Sequence, residues 1–489
     1  MIKKILKLIP IFLLIYCSIS LLFFNLWLQR YFGDVDFDLI LVNINFGFHG
    51  LINADDYVIN KFIEYCFYGS LFLSLIILVI KYLILKNKLF DFYVYIINIT
   101  LLILILVFNL NKLDFFDSFN EKEDNKFIEN NYIKPNLDKK IADSDQKDVI
   151  IIYLESFEEN YTKNKFFEPK IMNQLNFNEY NFSKTPNFLE TKYNNYTIGG
   201  IVSSQCGVPQ KPIGIFDTRS IYKKDKLKHE RNVYGINKFL PKAICLGDIL
   251  KYNDYENILI YSGHTSFHAM DIFFKSHGYN KIIDYDYFKN FKNIPKQSWS
   301  NGVNDSVIFK KAIEEVDKYK SSKKKFNITI LTTDTHFPGY IDPNCKNKFI
   351  SEDQLINSIH CTASSVYDFT NEIKNKYGDS ISIILLGDHL YPIDDRYNNH
   401  KKTLAVNKDS KRTIYAKILS KKEISNRSKM NHYDFFPTIL QSMNLDYGDR
   451  LGLGYSIFKT NNNFDYEIYY NSLVQNINKE SEFYYDFWR

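Results

Sequence analysis

Three strings place carboxylate, imidazole and hydroxyl groups directly after runs of β-branched residues. Val149–Leu154 ends in Glu155-Ser156, Asn327–Leu331 ends in Thr332-Thr333-Asp334-Thr335-His336, and Ile381–Leu386 ends in Gly387-Asp388-His389. Carboxylate oxygens and an imidazole nitrogen from Glu155, Asp388 and His389 form a mixed donor set. Such a set suits Mn²⁺, Zn²⁺ or Mg²⁺, and holds no thiolate to favour zinc strongly. Taken singly, each string reads as a cap, a turn or a hydrogen-bonded core histidine. The metal reading rests on their joint placement at strand ends, and His336 alone reads equally as loop or as site.

The elements that must hold these groups are legible around them. Ligand sites in open α/β sheets lie beyond the carboxyl ends of the strands. The runs just named, with Asn257–Tyr261, read as buried strands. Amphipathic patterns lie between them. In Asp305–Tyr319 the Asp305 side chain is expected to cap a helix on which Ile308, Ala312, Ile313 and Val316 share a face. This alternation predicts one α/β domain with a largely parallel sheet over residues 148–489. No internal repeat, zinc-finger spacing, phosphate-binding loop or Gly-rich dinucleotide motif is present.

Before residue 111 the texture is different. Leu6–Leu28 is apolar beyond Lys7, and Phe62–Leu85 and Phe92–Leu110 follow, the former with Glu64 near its start. Each is long enough to cross a hydrocarbon core. The first run is too long for a typical signal-peptide core and lacks a small-x-small cleavage site after it. Residues 1–111 are therefore expected to form a membrane domain of about three transmembrane helices, with 112–147 a polar linker or juxtamembrane segment. Lys3, Lys4 and Lys7 cluster at the start of the first run, and Lys81, Lys86 and Lys88 cluster around the junction of the second and third. The 31–61 loop is acidic, and its apolar stretch Leu39–Leu51 is too short to span. Basic residues stay in the cytoplasm, so the soluble part is expected outside it.

Composition agrees with a folded, anchored chain. Of 489 residues, 45% are hydrophobic and 24% charged, which excludes a collagenous or wholly disordered protein. The net charge of +5 over this length argues against a broad nucleic-acid-binding face. Cys17 and Cys66 fall in apolar runs, leaving Cys206, Cys245, Cys345 and Cys361 in the soluble part. Four cysteines outside the cytoplasm permit two disulfides in three pairings. The pairing Cys345–Cys361 closes a short loop and leaves Cys206 with Cys245; four reduced, buried thiols are the alternative.

One segment is far more specific. Tyr196-Thr197-Ile198-Gly199-Gly200-Ile201-Val202-Ser203-Ser204-Gln205-Cys206-Gly207-Val208-Pro209 closely resembles the nucleophile segment of bacterial phosphoglycerol transferases that modify periplasmic glucans. Those enzymes belong with lipoteichoic acid synthases in the sulfatase and alkaline phosphatase superfamily. The resemblance runs in order from about 148 to 458. It takes in Ile152–Ser156, Thr185-Pro186-Asn187, Cys245–Leu250, Phe274–Tyr279, Asp334-Thr335-His336, Gly387-Asp388-His389, Phe436–Leu440 and Gly452-Leu453-Gly454.

The resemblance implies an extracytoplasmic α/β sulfatase-like domain behind N-terminal transmembrane helices, in the bacterial inner membrane. It makes Thr197, ten positions before Gly207, the nucleophile, and Glu155, Thr197, Asp388 and His389 the ligands of one divalent ion, Mn²⁺ first with Mg²⁺ or Zn²⁺ as alternatives. His336 corresponds to a headgroup-binding histidine with a catalytic part. Trp299 and Asn304 stand where headgroup contacts are expected, although Ser-Asn intervenes between Trp299 and Gly302. The donor it implies is phosphatidylglycerol, with diacylglycerol released, and the acceptor is a periplasmic or cell-surface glycan. A phosphoethanolamine transferase, a polymerising synthase and a silent glycan-binding protein are the competing readings. Threonine at 197 disfavours sulfatase chemistry, which needs Cys or Ser there.

Overall fold

The computed structural model describes residues 2–32, 56–84, 88–113, 124–137, 145–163, 185–211, 238–291, 298–336, 338–391, 412–420, 422–459 and 464–489, with a few isolated positions between. Two compact units divide the chain, one built mainly from residues before 122 and the other from most of the remainder.

In the first unit, α1 (Ile2–Phe32), α2 (Asp56–Phe62), α3 (Ser70–Ile84) and α4 (Lys88–Lys112) are helical, and a π-helical stretch, Ile63–Gly69, joins α2 to α3. Two helical stretches, Ile9–Leu28 and Ile59–Ile80, are long and apolar enough to cross a membrane. The apolar stretch on α4, Ile99–Lys112, is shorter. Glu64, the charge that interrupts the second run, is paired with Lys61 at 2.5 Å. Asn25 on α1 donates to Asn109 on α4, and Ser20 donates to the Cys66 carbonyl at 3.1 Å. Polar pairs of this kind fasten helices where apolar packing has no preference over lipid. The stretch 39–51 falls almost wholly outside the described residues.

The second unit is built on six strands: β1 (Asp148–Leu154), β2 (Glu256–Tyr261), β3 (Lys281–Ile283), β4 (Phe326–Leu331), β5 (Ile381–Gly387) and β6 (Ala416–Leu419). Their order is β3-β2-β4-β1-β5-β6, all parallel except the β5–β6 pair. Every residue of β1, β4 and β5 is buried. A central parallel strand covered on both faces needs a continuous apolar run, which is why these three read so clearly in sequence. The three-residue β3 and the antiparallel β6 lie at the edges, where that run is shorter. Register does the positioning. Leu154 pairs with Gly387 and Tyr153 with Leu331, so β1, β4 and β5 end side by side.

Four helices bear on the site: α5 (Thr197–Cys206), α6 (Leu246–Tyr252), α7 (Asp305–Ser321) and α8 (Gln354–Tyr377). Helix α7 begins where Asp305 was expected to cap it, but Asn304 is the cap position and Asp305 is the first helical residue. The Asp305 carboxylate turns inward, accepting from the Thr333 amide at 2.8 Å and the Thr362 hydroxyl of α8 at 2.8 Å. Cys206 is bonded to Cys245 and Cys345 to Cys361. Part of the expected linker also belongs to this unit. Ile128 is buried, the Asn125 amide donates to the Glu480 carbonyl at 2.9 Å, and Ile133 bridges to Gly452.

Candidate metal and nucleophile site

At the carboxyl edge of the sheet, Glu155 follows β1, and Asp388 and His389 follow β5. One donor atom from each lies within 4.8 Å of the others, and all three side chains are buried. His389 Nε2 stands 3.6 Å from Glu155 Oε1 and 3.4 Å from Asp388 Oδ2. Its other nitrogen, Nδ1, lies 2.8 Å from the Leu390 carbonyl, so it carries the proton and leaves Nε2 for the carboxylates. The Ser156 amide donates to Asp388 Oδ1 at 2.8 Å, and the Ser156 hydroxyl to Glu155 Oε1 at 2.7 Å. Ser156 has a φ of 52°, a costly conformation for a residue with a β-carbon, adopted where the chain turns off β1 to make both bonds.

Thr197 reaches this cluster from α5. Its hydroxyl lies 3.5 Å from Glu155 Oε2. The preceding Tyr196 is extended and supplies no side-chain cap, while Gly207 closes the other end with a φ of 64°. Uncapped first-turn amides and the helix dipole favour an anion at the Thr197 end. Two glycines in the first turn cost helix stability, about 1 kcal/mol each against alanine. Close approach requires both: a β-carbon at 199 would lie 2.2 Å from the Tyr193 carbonyl oxygen, and one at 200 would lie 2.3 Å from that of Asp388.

The electrostatics of the cluster favour positive charge among its carboxylates. Burial first, then the adjacent Glu155, raises the Asp388 carboxyl to about 7. Burial alone would lower His389, but Asp388 and Glu155 outweigh it and carry the imidazole up to about 9. Two buried carboxylates side by side thus favour the charged form of the neighbouring ring. Two carboxylates, one imidazole nitrogen and a hydroxyl are a fitting donor set for Mn²⁺, Mg²⁺ or Zn²⁺.

One pocket contains Glu155, Thr197 and Asp388 together with Trp299 and His336. The Trp299 and His336 rings pack with centroids 4.6 Å apart. Asn304 is not among the pocket-lining residues; it is buried, and its Nδ2 donates to Asp334 Oδ1 at 3.0 Å. Asp334 is likewise engaged at the α7 terminus, accepting from the Asp305 amide at 2.9 Å.

Sequence reasoning missed Tyr261, Phe267 and Met270, which line the same pocket. Tyr261 ends β2, so its strand-end position was the available signal. Phe267 packs edge-on against Trp299 at 5.1 Å, and between it and Met270 both His268 (φ 51°) and Ala269 (φ 54°) are left-handed. Neither residue type announces that backbone.

A mostly parallel sheet with two carboxylates and an imidazole gathered at its carboxyl edge, beside a buried helix that opens on a threonine, is the sulfatase-like fold of the alkaline phosphatase superfamily. The family model described as Sulfatase matches residues 147–445, and the chain belongs to that family. Among curated proteins it is similar to phosphoglycerol transferase I of Xanthomonas campestris pv. campestris, 30% identical over 251 residues that make up 50% of this chain and 34% of that protein. It is also similar to phosphoglycerol transferase I of Escherichia coli O127:H6, 31% identical over 253 residues, 50% of this chain and 30% of that protein. The match thus spans about a third of the length of these relatives. A lipoteichoic acid synthase from Listeria monocytogenes superposes with a TM-score of 0.49 at 18% identity, over 64% of this chain and 75% of its own.

Proposed function

We propose that the chain is a membrane-anchored transferase that moves phosphoglycerol from phosphatidylglycerol to a periplasmic or cell-surface glycan. The observation that carries this reading is the Thr197 hydroxyl, 3.5 Å from Glu155 in the pocket that also holds His336 and Trp299. The names of the curated relatives supply the transferred group. Glu155, Thr197, Asp388 and His389 would hold one divalent ion, Mn²⁺ in this reading, and such an ion would lower the pKa of the Thr197 hydroxyl and offset charge on the phosphate oxygens.

Thr197 Oγ1 attacks phosphorus, and the bond from phosphorus to the diacylglycerol oxygen breaks. The proton leaving the threonine goes, in net terms, to that oxygen. A sugar hydroxyl then attacks the phosphoglycerol–threonine ester, and its proton restores Thr197. First-turn amides of α5 bind the phosphate, while His336, packed on Trp299, holds the headgroup. Asn304 supports the pocket through Asp334 and does not touch the substrate. The apolar helices anchor the chain in the bacterial inner membrane with the second unit outside the cytoplasm. Both disulfides support that side, since such bonds persist in oxidising compartments. Anchoring also keeps the enzyme on the surface that contains its lipid donor.

Incubating the purified chain with Mn²⁺, a glycan acceptor and fluorescent-acyl phosphatidylglycerol should release labelled diacylglycerol. Thr197→Ala should lower that release by at least about a thousandfold without lowering the melting temperature. Release from phosphatidylethanolamine instead would reassign the transferred group, and no release from either lipid would overturn the reading.

A further inference from the structure

The segment 388–391 carries two of the donors and is held peptide by peptide. His432 Nε2 lies 2.7 Å from the Asp388 carbonyl oxygen, and burial pushes that imidazole down to about 3, so it is a neutral donor. The Leu390 amide donates to Glu190 Oε2 at 2.8 Å. The Leu390 carbonyl takes the Nδ1 proton of His389, and the amide of that same peptide, on Tyr391, donates to Glu158 Oε1 at 3.2 Å. Arg412 ion-pairs with Glu158 and donates to the Tyr391 carbonyl at 2.6 Å.

The two glutamates do different work. Glu158 is the buried half of an ion pair that closes on Tyr391, beyond the donors. Glu190 acts on the peptide between His389 and Leu390, one bond from the imidazole-bearing residue. It comes from the segment leading into α5, just past the Asn187–Phe188 strand that pairs with Lys429–Met430. It therefore couples the backbone entering the nucleophile helix to the backbone leaving β5.

We propose that Glu190 is a positioning residue of the metal centre: by holding the peptide between His389 and Leu390 it fixes the backbone from which the His389 ring turns Nε2 toward Glu155 and Asp388, while Glu158 holds the next peptide, whose carbonyl takes the Nδ1 proton. The inference rests on the metal reading above. What matters is an acceptor oxygen at the right reach, not a charge. A glutamine side chain of the same length carries a carbonyl oxygen to the same place and can accept from the Leu390 amide as Glu190 does. Partners of a ligating histidine typically set metal affinity within a factor of about 10 to 100.

Glu190→Gln keeps the reach and loses the charge, whereas Glu190→Asp keeps the charge and loses the reach. The full-length chain and both variants, stripped by chelator, are titrated with Mn²⁺, reading free aquated ion by electron paramagnetic resonance. Glu190→Asp should bind about tenfold or more weakly, with Glu190→Gln close to the wild-type chain. Wild-type affinity in Glu190→Asp, or an equal loss in Glu190→Gln, overturns the proposal. Failure of the wild-type chain to take up Mn²⁺, and Zn²⁺ in a parallel titration against a chromophoric chelator, overturns the metal reading itself and the inference with it.

Discussion

Gly200 lies against the backbone of Asp388 so closely that a β-carbon at 200 would meet its carbonyl oxygen at 2.3 Å and His432 Nε2 at 3.2 Å. The first turn of α5 and the turn that follows β5 are thus in direct contact. Gly200→Ala gains about 1 kcal/mol in helix propensity but forces one of these turns to move, and overpacking of this kind costs about 1–3 kcal/mol. The variant is expected to melt lower and to bind Mn²⁺ more weakly, measured by calorimetry and metal titration. Unchanged affinity would show that the two turns move independently.

Metal binding should be strongly pH-dependent. In the metal-free chain His389 keeps its proton up to about 9, and an ion has to displace it. Affinity is therefore expected to climb about tenfold per pH unit for each proton released, levelling off near 9. The same raised value stabilises the metal-free fold below the unfolded histidine pKa, about 6.5, and that contribution is lost as pH rises through about 9. Titrations at three pH values, with and without chelator, measure both effects.

Asp305 supplies a test away from the metal. Burial, with Asp342 adding a smaller push, raises its carboxyl from 3.8 to about 7. The folded chain then holds a proton that the unfolded chain has released, so stability from this group is full below about 3.8 and declines as pH rises through about 7. Asp305→Asn retains an acceptor for the Thr333 amide and cannot titrate. Plotted against pH, its melting temperature should gain on the wild-type value between pH 4 and pH 7. Parallel curves would mean that this carboxyl does not titrate there.

Cys206 ends the nucleophile helix and Cys245 is the cap residue of α6. Their bond joins positions 39 residues apart, and loops of such length are worth about 2–4 kcal/mol when closed. Thr197 lies at the other end of the helix, about 13 Å away at 1.5 Å per residue. Replacing both cysteines with serine should lower the melting temperature while the folded protein keeps most of its turnover. Loss of turnover without loss of stability would contradict this.

Much of the frame was legible because burial demands it. The four runs ending near Leu154, Tyr261, Leu331 and Leu386 are the four inner strands, each within a residue or two of its observed bounds. Glu155, Asp388 and His389 were marked by where those runs stop. Asp305 was misread as a cap because a carboxylate opening an amphipathic pattern has two uses, and only the contacts of Thr333 and Thr362 decide between them. Asn304, expected at a headgroup contact, is buried outside the pocket lining and donates its amide to Asp334. Phe267 and Met270 had no polar group to attract attention, and of the two left-handed residues between them Ala269 is of a type that rarely takes that backbone.

Register has a further consequence for how the protein is made. Strand β1 has β4 and β5 as its two neighbours, both far downstream. The Ser156 amide meets its Asp388 partner across 232 residues. At about 5–20 residues per second of synthesis, β1 waits roughly 10 to 35 s with both hydrogen-bonding edges bare until β4 is made, and roughly 10 to 50 s in all before β5 can cover the second edge. During that interval Val149–Leu154 is a short, uncharged, β-branched ribbon beyond the apolar N-terminal helices. The yield of folded protein should therefore depend on how long this ribbon stays exposed before the last third of the chain arrives.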